Sequence, residues 1–305
     1  MFTIEANNMS AMYPVILQHI RLYGHKVTTR GNTVMEVENM AFTLQDPLRC
    51  IPLQKARKFN SAYAVIEMLS LFLPGASVVE ELLFYNPNME SYINPETRLF
   101  DGSYAERLTM YEQLLYCKKV LEEDPNSRRA VLDFYNAAHD QHESKDIACT
   151  LNLLFRIRDG KLNVTVFMRG NDVLWGTPYN FTMFTFLQNV MAKWLGVQIG
   201  TYTHVVGSAH YYEDKAPEVM EVMKFPNVLR KGHPLERMPE WDVEDANLTF
   251  ASIEDFFTMS EAYHADADRN EIVDSAMLGQ GSAMLKYLWD KVCKPYCDKK
   301  MNKLA

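Results

Sequence analysis

Two β-rich stretches joined by Asp159-Gly160 constrain the fold more than any other feature of the chain. Residues 148–158 and 161–169 are rich in β-branched, aliphatic and aromatic side chains, and the second stretch shows the period-two alternation of a strand. An Asp-Gly pair between two such stretches is typical of a two-residue type I′ turn. The sequence therefore predicts an antiparallel hairpin that belongs to a larger sheet.

Helix and strand patterns are mixed along the rest of the chain. Residues 61–73 have helical spacing and stop at a Pro-Gly pair, with Glu67 inside an otherwise apolar stretch. Pro178 suits the first turn of another helix. Further helices are predicted over 104–123, 179–195, 216–223, 252–263 and 271–291, and further strands over 130–135 and 200–206. The predicted fold class is therefore α/β (α+β), a mixed sheet flanked by helices.

Charge and cysteine content limit the classes of partner. The net charge is −8 with a pI near 5.5, which is the wrong sign for a protein that binds a nucleic-acid polymer. The sequence has no secretion-signal pattern and no apolar run of membrane-spanning length, so we expect a cytoplasmic protein without a membrane partner. The five cysteines are odd in number and widely spread, which favours reduced thiols without a structural metal.

Reactive side chains fall near the ends of the predicted strands. Cys149 opens one strand of the hairpin, and Arg169 closes the other 20 positions later. Arg128 and Arg129 form a consecutive pair, and a His-x-Tyr motif at 210–212 follows a later strand. Each of these features, taken alone, is also compatible with core packing or with a solvated surface.

Four sequence blocks together resemble the thymidylate synthases and their nucleotide hydroxymethylase relatives. The blocks are DPNSRR (124–129), ACT (148–150), MRGNDVLWGTPYN (168–180) and GSAHYY (207–212), in the family's order and spacing. The resemblance implies a thymidylate-synthase-like catalytic domain over 1–225. It fades after residue 212, so residues 226–305 are expected to form a mostly helical extension packed on that domain.

The resemblance also implies a chemistry. Cys149 matches the family nucleophile, whose thiolate adds to carbon 6 of a pyrimidine and makes carbon 5 reactive toward 5,10-methylenetetrahydrofolate. Glu67 matches the glutamate that organises water and proton transfer, and Asp172 matches the residue beside the ring and the folate. Tyr104 is assigned to the active-site water network, although the sequence around it departs from the synthase pattern.

A phosphate clamp is implied by four arginines, because guanidinium groups bind a phosphate dianion through forked hydrogen bonds. These are Arg30, Arg128, Arg129 and Arg169. In the family the consecutive pair comes from a second subunit, so the resemblance implies a homodimer in which Arg128 and Arg129 cross the interface. The implied partners are a pyrimidine nucleoside monophosphate and a folate.

Other positions of the motifs are expected to line the ligands. His210 and Tyr212 match the pair that holds the sugar 3′-hydroxyl. Gly170 replaces the serine that usually follows the clamp arginine, which opens space that a ribose 2′-hydroxyl would fit; Asn171 follows it on the nucleotide side. Trp175 is expected to pack in the core or on the folate, and Gly176 lies beside it.

Asn180 is the position that is expected to form hydrogen bonds with the pyrimidine base. Asparagine here is found in uracil-specific members, whereas the cytosine-specific phage hydroxymethylases have aspartate. An asparagine can donate to O4 and accept from N3–H of uracil, but a flipped amide would present the opposite pattern to cytosine unless its neighbours lock it. The sequence alone therefore favours uracil and leaves cytosine open.

The segment from Cys149 to Gly176 is closer to the phage deoxycytidylate hydroxymethylases than to the synthases, which usually have histidine where this chain has Thr150. We therefore expect conversion of dUMP to 5-hydroxymethyl-dUMP in a bacterial or phage-infected cytoplasm. The alternatives are thymidylate synthesis, a dCMP or CMP hydroxymethylase, and a non-catalytic descendant that binds a nucleotide or RNA.

Overall fold

The computed structural model describes residues 1–110, 112–265 and 282–303. Its strands are β1 Phe2–Ala6, β2 His25–Thr29, β3 Asn32–Leu44, β4 Val131–Asp133, β5 Thr150–Arg158, β6 Lys161–Asp172 and β7 Gln198–Tyr212. Its α-helices are α1 Met9–Tyr23, α2 Ser61–Ser70, α3 Val79–Tyr85, α4 Tyr104–Met110, α5 Gln113–Glu123, α6 Ala137–Asp140, α7 Gly176–Trp194, α8 Ala216–Lys224, α9 Ala246–Ala265, α10 Ala283–Leu288 and α11 Lys294–Met301. A π-helical turn, Trp289–Cys293, joins the last two helices.

All seven strands form one mixed sheet with the order β1-β3-β7-β6-β5-β4, and β2 pairs with the outer part of β3. The β6–β7 and β1–β3 pairs are parallel, and the other pairs are antiparallel. A mixed sheet flanked by helices is the predicted fold class, which is confirmed.

The β5–β6 hairpin is also confirmed. Arg158 pairs with Lys161, and both turn residues have the positive φ of a type I′ turn, 51° at Asp159 and 69° at Gly160. The next strand, β7, is longer than predicted. It continues from Gln198 through the His-x-Tyr motif to Tyr212, because pairing with both β3 and β6 persists along that length.

Two helix predictions need correction. The single helix expected over 104–123 is two helices, α4 and α5, and Glu112 precedes α5 with a left-handed backbone (φ 48°) that an α-helix cannot continue through. Within the helix expected over 271–291, residues 271–281 lie outside the described residues, and the described part begins at Ala283.

One face of the sheet is covered by helices. Helix α7 lies against β6 and β7 with most of its side chains buried, and its Gln188 Nε2 donates to the carbonyls of Leu162 and Thr201 at 2.8 and 3.1 Å. The other face is lined by half-buried side chains, among them Phe167 and Val205. The helical face therefore contains the core, and the second face has apolar side chains still in partial contact with solvent.

The C-terminal helices join the same hydrophobic core as the sheet. The hydroxyl of Tyr85 at the end of α3 lies 3.0 Å from Ser260 Oγ on α9 and 3.1 Å from Cys297 Sγ on α11. Trp289 is fully buried and packs edge-on against Phe256, with ring centroids 5.9 Å apart. The division of the chain at residue 225 stays a prediction.

Truncation of Trp289 tests this packing. We expect Trp289→Ala to lower the free energy of unfolding by about 3–5 kcal/mol, because a large buried side chain leaves a cavity that its neighbours fill only in part. Urea denaturation measures the change. Leu248→Ala, at a position that is 60% exposed on α9, is the control and should change stability by no more than about 0.5 kcal/mol. Equal effects of the two substitutions would contradict the packing described here.

Candidate active site

A cavity of about 200 Å³ lies between α2, α4, α7 and the segment that leads into β5. Four of the residues selected from sequence line it together: Cys149, Glu67, Tyr104 and Asn180. They come from positions up to 113 residues apart in the chain, from 67 to 180, so their convergence is a property of the fold. The remaining wall is mixed, with Asp146 among the polar side chains.

Cys149 directly precedes β5 and is half-buried. Burial raises the pKa of its thiol above the ordinary value, Asp146 raises it further, and the positive charges of Arg169 and Arg30 oppose both effects. Thiolate formation at this sulfur therefore depends on nearby cations, which is the usual requirement of a nucleophilic cysteine in a partly dry site.

Arg169 is held beside Cys149 by backbone carbonyls. Its Nε donates to the carbonyl of Ala148 at 3.0 Å and its Nη2 to the carbonyl of Ile147 at 2.9 Å. Arg30 approaches from the two-residue turn between β2 and β3, where it has a positive φ of 49°. Two of the four predicted clamp arginines thus lie within electrostatic reach of the same sulfur.

Glu67 is a half-buried acid that lines the cavity. Tyr63, one turn earlier on α2, donates its hydroxyl proton to Glu67 Oε1 at 2.8 Å, whereas Glu67 Oε2 is buried and has no hydrogen-bond partner among the described residues. Burial raises the pKa of Glu67 from 4.5 to about 7. A carboxyl group poised near neutrality, with one oxygen free, can bind a water molecule and exchange a proton with it.

Tyr104 is tied to the residue that follows the cysteine. Its hydroxyl oxygen accepts from Thr150 Oγ1 at 2.9 Å and from the Thr150 backbone N–H at 3.2 Å. Its ring packs against Phe134 and Phe184, with centroids 5.0 and 6.0 Å away. Thr150, the departure from the usual synthase sequence, therefore anchors Tyr104 beside Cys149.

Asp172 ends β6 and caps the turn into α7. Its Oδ1 accepts from the backbone N–H of Leu174 at 2.8 Å and of Trp175 at 3.1 Å, and burial raises its pKa while His210 and Arg57 lower it. Trp175 is 43% exposed, so the expectation that it packs in the core is wrong.

Arg57 is a buried cation beside Trp175 that was not selected from the sequence. The residue is 3% exposed and its guanidinium lies 4.6 Å from the Trp175 ring, with Nε and Nη1 buried and without a hydrogen-bond partner in the part of the chain that the structure describes. Asp146 was missed as well. Its Oδ2 accepts from the Gly102 N–H at 2.8 Å, and a Cβ at Gly102 would collide with that carboxylate. Neither residue stands in a recognisable motif, so the sequence carried no local signal for them.

His210 and Tyr212 lie on the same side of β7, with ring centroids 5.9 Å apart and nearly perpendicular. Asp172 is paired with His210 across the β6–β7 register, and Gly170 is paired with Ser208. A Cβ on Gly170 would meet His210 and Ser208 at 3.9 Å, an ordinary contact distance, so the space expected beside Gly170 is present.

Asn180 takes part in a partly buried pair of side-chain amides. Asn171 Nδ2 donates to Asn180 Oδ1 at 2.8 Å, and Asn171 Oδ1 in turn accepts from the Thr177 hydroxyl. The side chain of Asn171 is therefore occupied by protein groups. Gly176 leaves room for this pair, since a Cβ there would lie 3.1 Å from Asn171 Nδ2.

Arg128 and Arg129 are exposed in the segment between α5 and β4, and in the described part of the chain neither lines the cavity. A single chain therefore does not bring the whole predicted clamp together. Over the described ranges, no group of three or more His, Cys, Asp and Glu residues could hold a metal ion. No described helix has the length and apolar composition needed to cross a membrane.

Known proteins match this chain over most of its length. A family model described as thymidylate synthase matches residues 11–260. The deoxyuridylate hydroxymethyltransferase of Bacillus phage SP01 is 32% identical over 230 residues, which cover 70% of this chain and 60% of that protein. The protein of the same name in Pseudomonas phage M6 is 29% identical over 70% of this chain and 62% of its own length.

A thymidylate synthase of Listeria monocytogenes serotype 4b (strain CLIP80459) is 27% identical over 62% of this chain and 61% of its own length. The chain thus spans less than two thirds of the length of each of these relatives.

The buried carboxyl of Glu67 predicts a pH-dependent stability. Its pKa is raised from 4.5 in the unfolded chain to about 7 in the fold. This group therefore favours the folded state most below pH 4.5, and the free energy of unfolding falls by about 3 kcal/mol as the pH rises through 7. We expect Glu67→Gln to remove this loss and to be more stable than the wild type at about pH 8. Urea denaturation at about pH 4.5 and at about pH 8 measures the free energy of unfolding of both proteins. The exposed Glu80→Gln should behave as the wild type, and a pH dependence unchanged in Glu67→Gln would contradict the assignment.

Proposed function

The chain belongs to the thymidylate synthase family, and we propose that it is a folate-dependent pyrimidine nucleotide C5 hydroxymethyltransferase. The proposed substrate is dUMP, the one-carbon donor is 5,10-methylenetetrahydrofolate, and the product is 5-hydroxymethyl-dUMP. Two relatives bear the name deoxyuridylate hydroxymethyltransferase, which supports this reaction over reductive methylation.

The observation that carries the proposal is the convergence of Cys149, Glu67, Tyr104 and Asn180 on one cavity. A sulfur nucleophile, a carboxyl group with a pKa of about 7 and an amide that can read a base edge are the groups that nucleophilic activation of a pyrimidine requires. A non-catalytic descendant would not need all three in one place.

The proposed reaction starts at the thiolate of Cys149, which forms a bond to carbon 6 of the base and pushes electron density to carbon 5 and O4. Arg169 and Arg30 stabilise the thiolate and hold the phosphate of the same nucleotide. His210 and Tyr212 bind the sugar hydroxyl. Carbon 5 bonds to the added carbon and loses its proton to a base in the cavity, and hydroxide from a water molecule bonds to the added carbon. The thiolate is then expelled as the double bond between carbons 5 and 6 forms again.

Arg57, Trp175 and Asp172 fit the folate. An exposed indole offers a flat surface, and the buried guanidinium of Arg57 packs 4.6 Å from that ring and places a positive charge next to it. When bound, 5,10-methylenetetrahydrofolate supplies the carbon that is added to the base. Gly176 begins α7 beside this surface.

The choice between a hydroxymethyl and a methyl product depends on whether water or hydride reaches the new carbon. Glu67 Oε2 is unpaired and Asp146 adds a second carboxyl group to the same cavity, so this chain is equipped to hold water there. These groups favour hydroxymethylation; a dry cavity would favour thymidylate synthesis.

We also propose that the active form is a homodimer. The half-exposed apolar face of the sheet, with Phe167 and Val205, offers a surface for a second copy. Arg128 and Arg129, exposed in one chain, would then complete the phosphate clamp of the other. The residues from 226 onward are proposed to extend the catalytic domain.

Product analysis tests the reaction. We expect the wild type, given dUMP and methylenetetrahydrofolate, to yield a nucleotide heavier by a hydroxymethyl group, and Cys149→Ala to yield no product while it still binds dUMP through the arginines. Mass spectrometry and calorimetry are the measurements. A methyl product would make the chain a thymidylate synthase, and turnover by Cys149→Ala would refute the covalent mechanism.

Mixing two inactive variants tests the shared site. Cys149→Ala and Arg128→Ala are each expected to be inactive, because one lacks the nucleophile and the other lacks a clamp residue given to its partner. Unfolded and refolded together, they form mixed dimers with one intact site and should regain activity. Sedimentation gives the oligomeric state. A working monomer, or a mixture that stays inactive while it dimerises, would contradict the arrangement.

A further inference from the structure

A line of hydrogen bonds leads from the core of the sheet to the amide of Asn180. The hydroxyl of Tyr202 lies 2.8 Å from His204 Nδ1, and His204 Nε2 lies 3.3 Å from Asn171 Oδ1. The Thr177 hydroxyl donates to that same oxygen, and Asn171 Nδ2 lies 2.8 Å from Asn180 Oδ1. The first four of these side chains are buried.

The hydroxyl groups at the two ends of this hydrogen-bond chain determine which group donates in each hydrogen bond. The hydroxyl groups of Tyr202 and Thr177 are fully buried, and among the described residues their hydrogen-bond partners are His204 and Asn171. Reversing every bond would leave both hydroxyl protons without an acceptor, which folded proteins avoid strongly. The protons therefore run from the two hydroxyls toward Asn171.

This direction leaves one arrangement of the amides. His204 is neutral, since burial lowers its pKa to about 3, and it carries its proton on Nε2 because Nδ1 accepts from Tyr202. Asn171 Oδ1 then accepts from both His204 and Thr177. Only the Nδ2 of Asn171 can then face Asn180, so Asn180 must accept this hydrogen bond with its Oδ1.

We infer that Asn171 is a positioning residue for base choice, which holds the Asn180 amide in the single orientation that suits uracil. This inference rests on the proposed nucleotide site. Uracil offers an acceptor at O4 and a donor at N3, and cytosine offers the reverse at the same two positions. A free amide can turn over and serve either base, whereas a locked amide pairs with one and opposes the other at both positions.

Asn171→Asp is the decisive variant. Thr177 and His204 can still donate to one carboxylate oxygen, but the other oxygen can only accept, so Asn180 must turn its Nδ2 toward it. We expect the wild type to bind dUMP about 100-fold more tightly than dCMP, because two opposed groups cost about tenfold each. Asn171→Asp should reverse this preference, and Asn171→Ala should bring the two affinities close together. Calorimetry without folate measures all six dissociation constants, for three proteins and two nucleotides.

Asn163→Asp is the matched control. It makes the same substitution on the same strand, where Asn163 Oδ1 accepts from the Thr201 N–H at 2.8 Å, and it should keep the wild-type ratio. If Asn171 had a merely structural role, Asn171→Asp would lower the affinities for dUMP and dCMP equally, and that outcome would overturn the inference. Equal affinity of the wild type for the two nucleotides would overturn it as well.

The same data separate failure of the inference from failure of the proposed function. A wild type that prefers dCMP would overturn the inferred uracil orientation and remove uracil from the proposed function, while the nucleotide site itself would stand. A wild type that binds neither nucleotide would refute the nucleotide site and, with it, the role of Asn171 in base choice.

Discussion

One irregular position in the β5–β6 pair decides how the candidate site is assembled. The hairpin keeps one register from its turn to Asn152, and continuing that register would set Thr150 opposite Arg169. A bulge shifts the pairing, so that the Arg169 N–H donates instead to the carbonyl of Cys149 at 2.9 Å. Because neighbouring side chains on a strand point to opposite faces, a shift of one residue redirects them all. Cys149 thereby gains a cation, and Thr150 turns inward to Tyr104.

Burial sets the chemistry of the groups that the bulge brings together. The same desolvation raises the pKa of Glu67, Cys149 and Asp172, which makes the acids better proton carriers and the thiol harder to ionise. Arg169 and Arg30 oppose the effect at the sulfur and leave it in place at Glu67. One cavity therefore contains a nucleophile that needs its cations and an acid that titrates near neutrality, as the proposed reaction requires. A buried carboxyl group of this kind costs stability, which is a common property of functional sites.

Local patterns predicted the elements that depend on local physics. The Asp-Gly turn needs two left-handed residues, and helix α2 needs an apolar stripe and an N-cap, which Asn60 provides by accepting from the Tyr63 N–H at 3.1 Å. Predictions failed where the neighbours decide. Strand β7 extends to Tyr212 because β3 and β6 both pair with its second half, and nothing in that sequence marks the continuation. The break at Glu112 and the exposure of Trp175 likewise had no counterpart in the local sequence pattern.

The sequence by itself determined the family, the mixed sheet and the residue types of the site, because ordered motifs and the periodicity of apolar side chains are properties of the chain alone. It did not determine which of those residues share a cavity, nor which way the Asn180 amide points. That orientation depends on hydrogen bonds relayed from Tyr202 and His204 on a strand that follows Asn180 in the chain. Hydrogen bonds act over about 3 Å in space, whatever the separation in sequence, so only the tertiary structure could settle it.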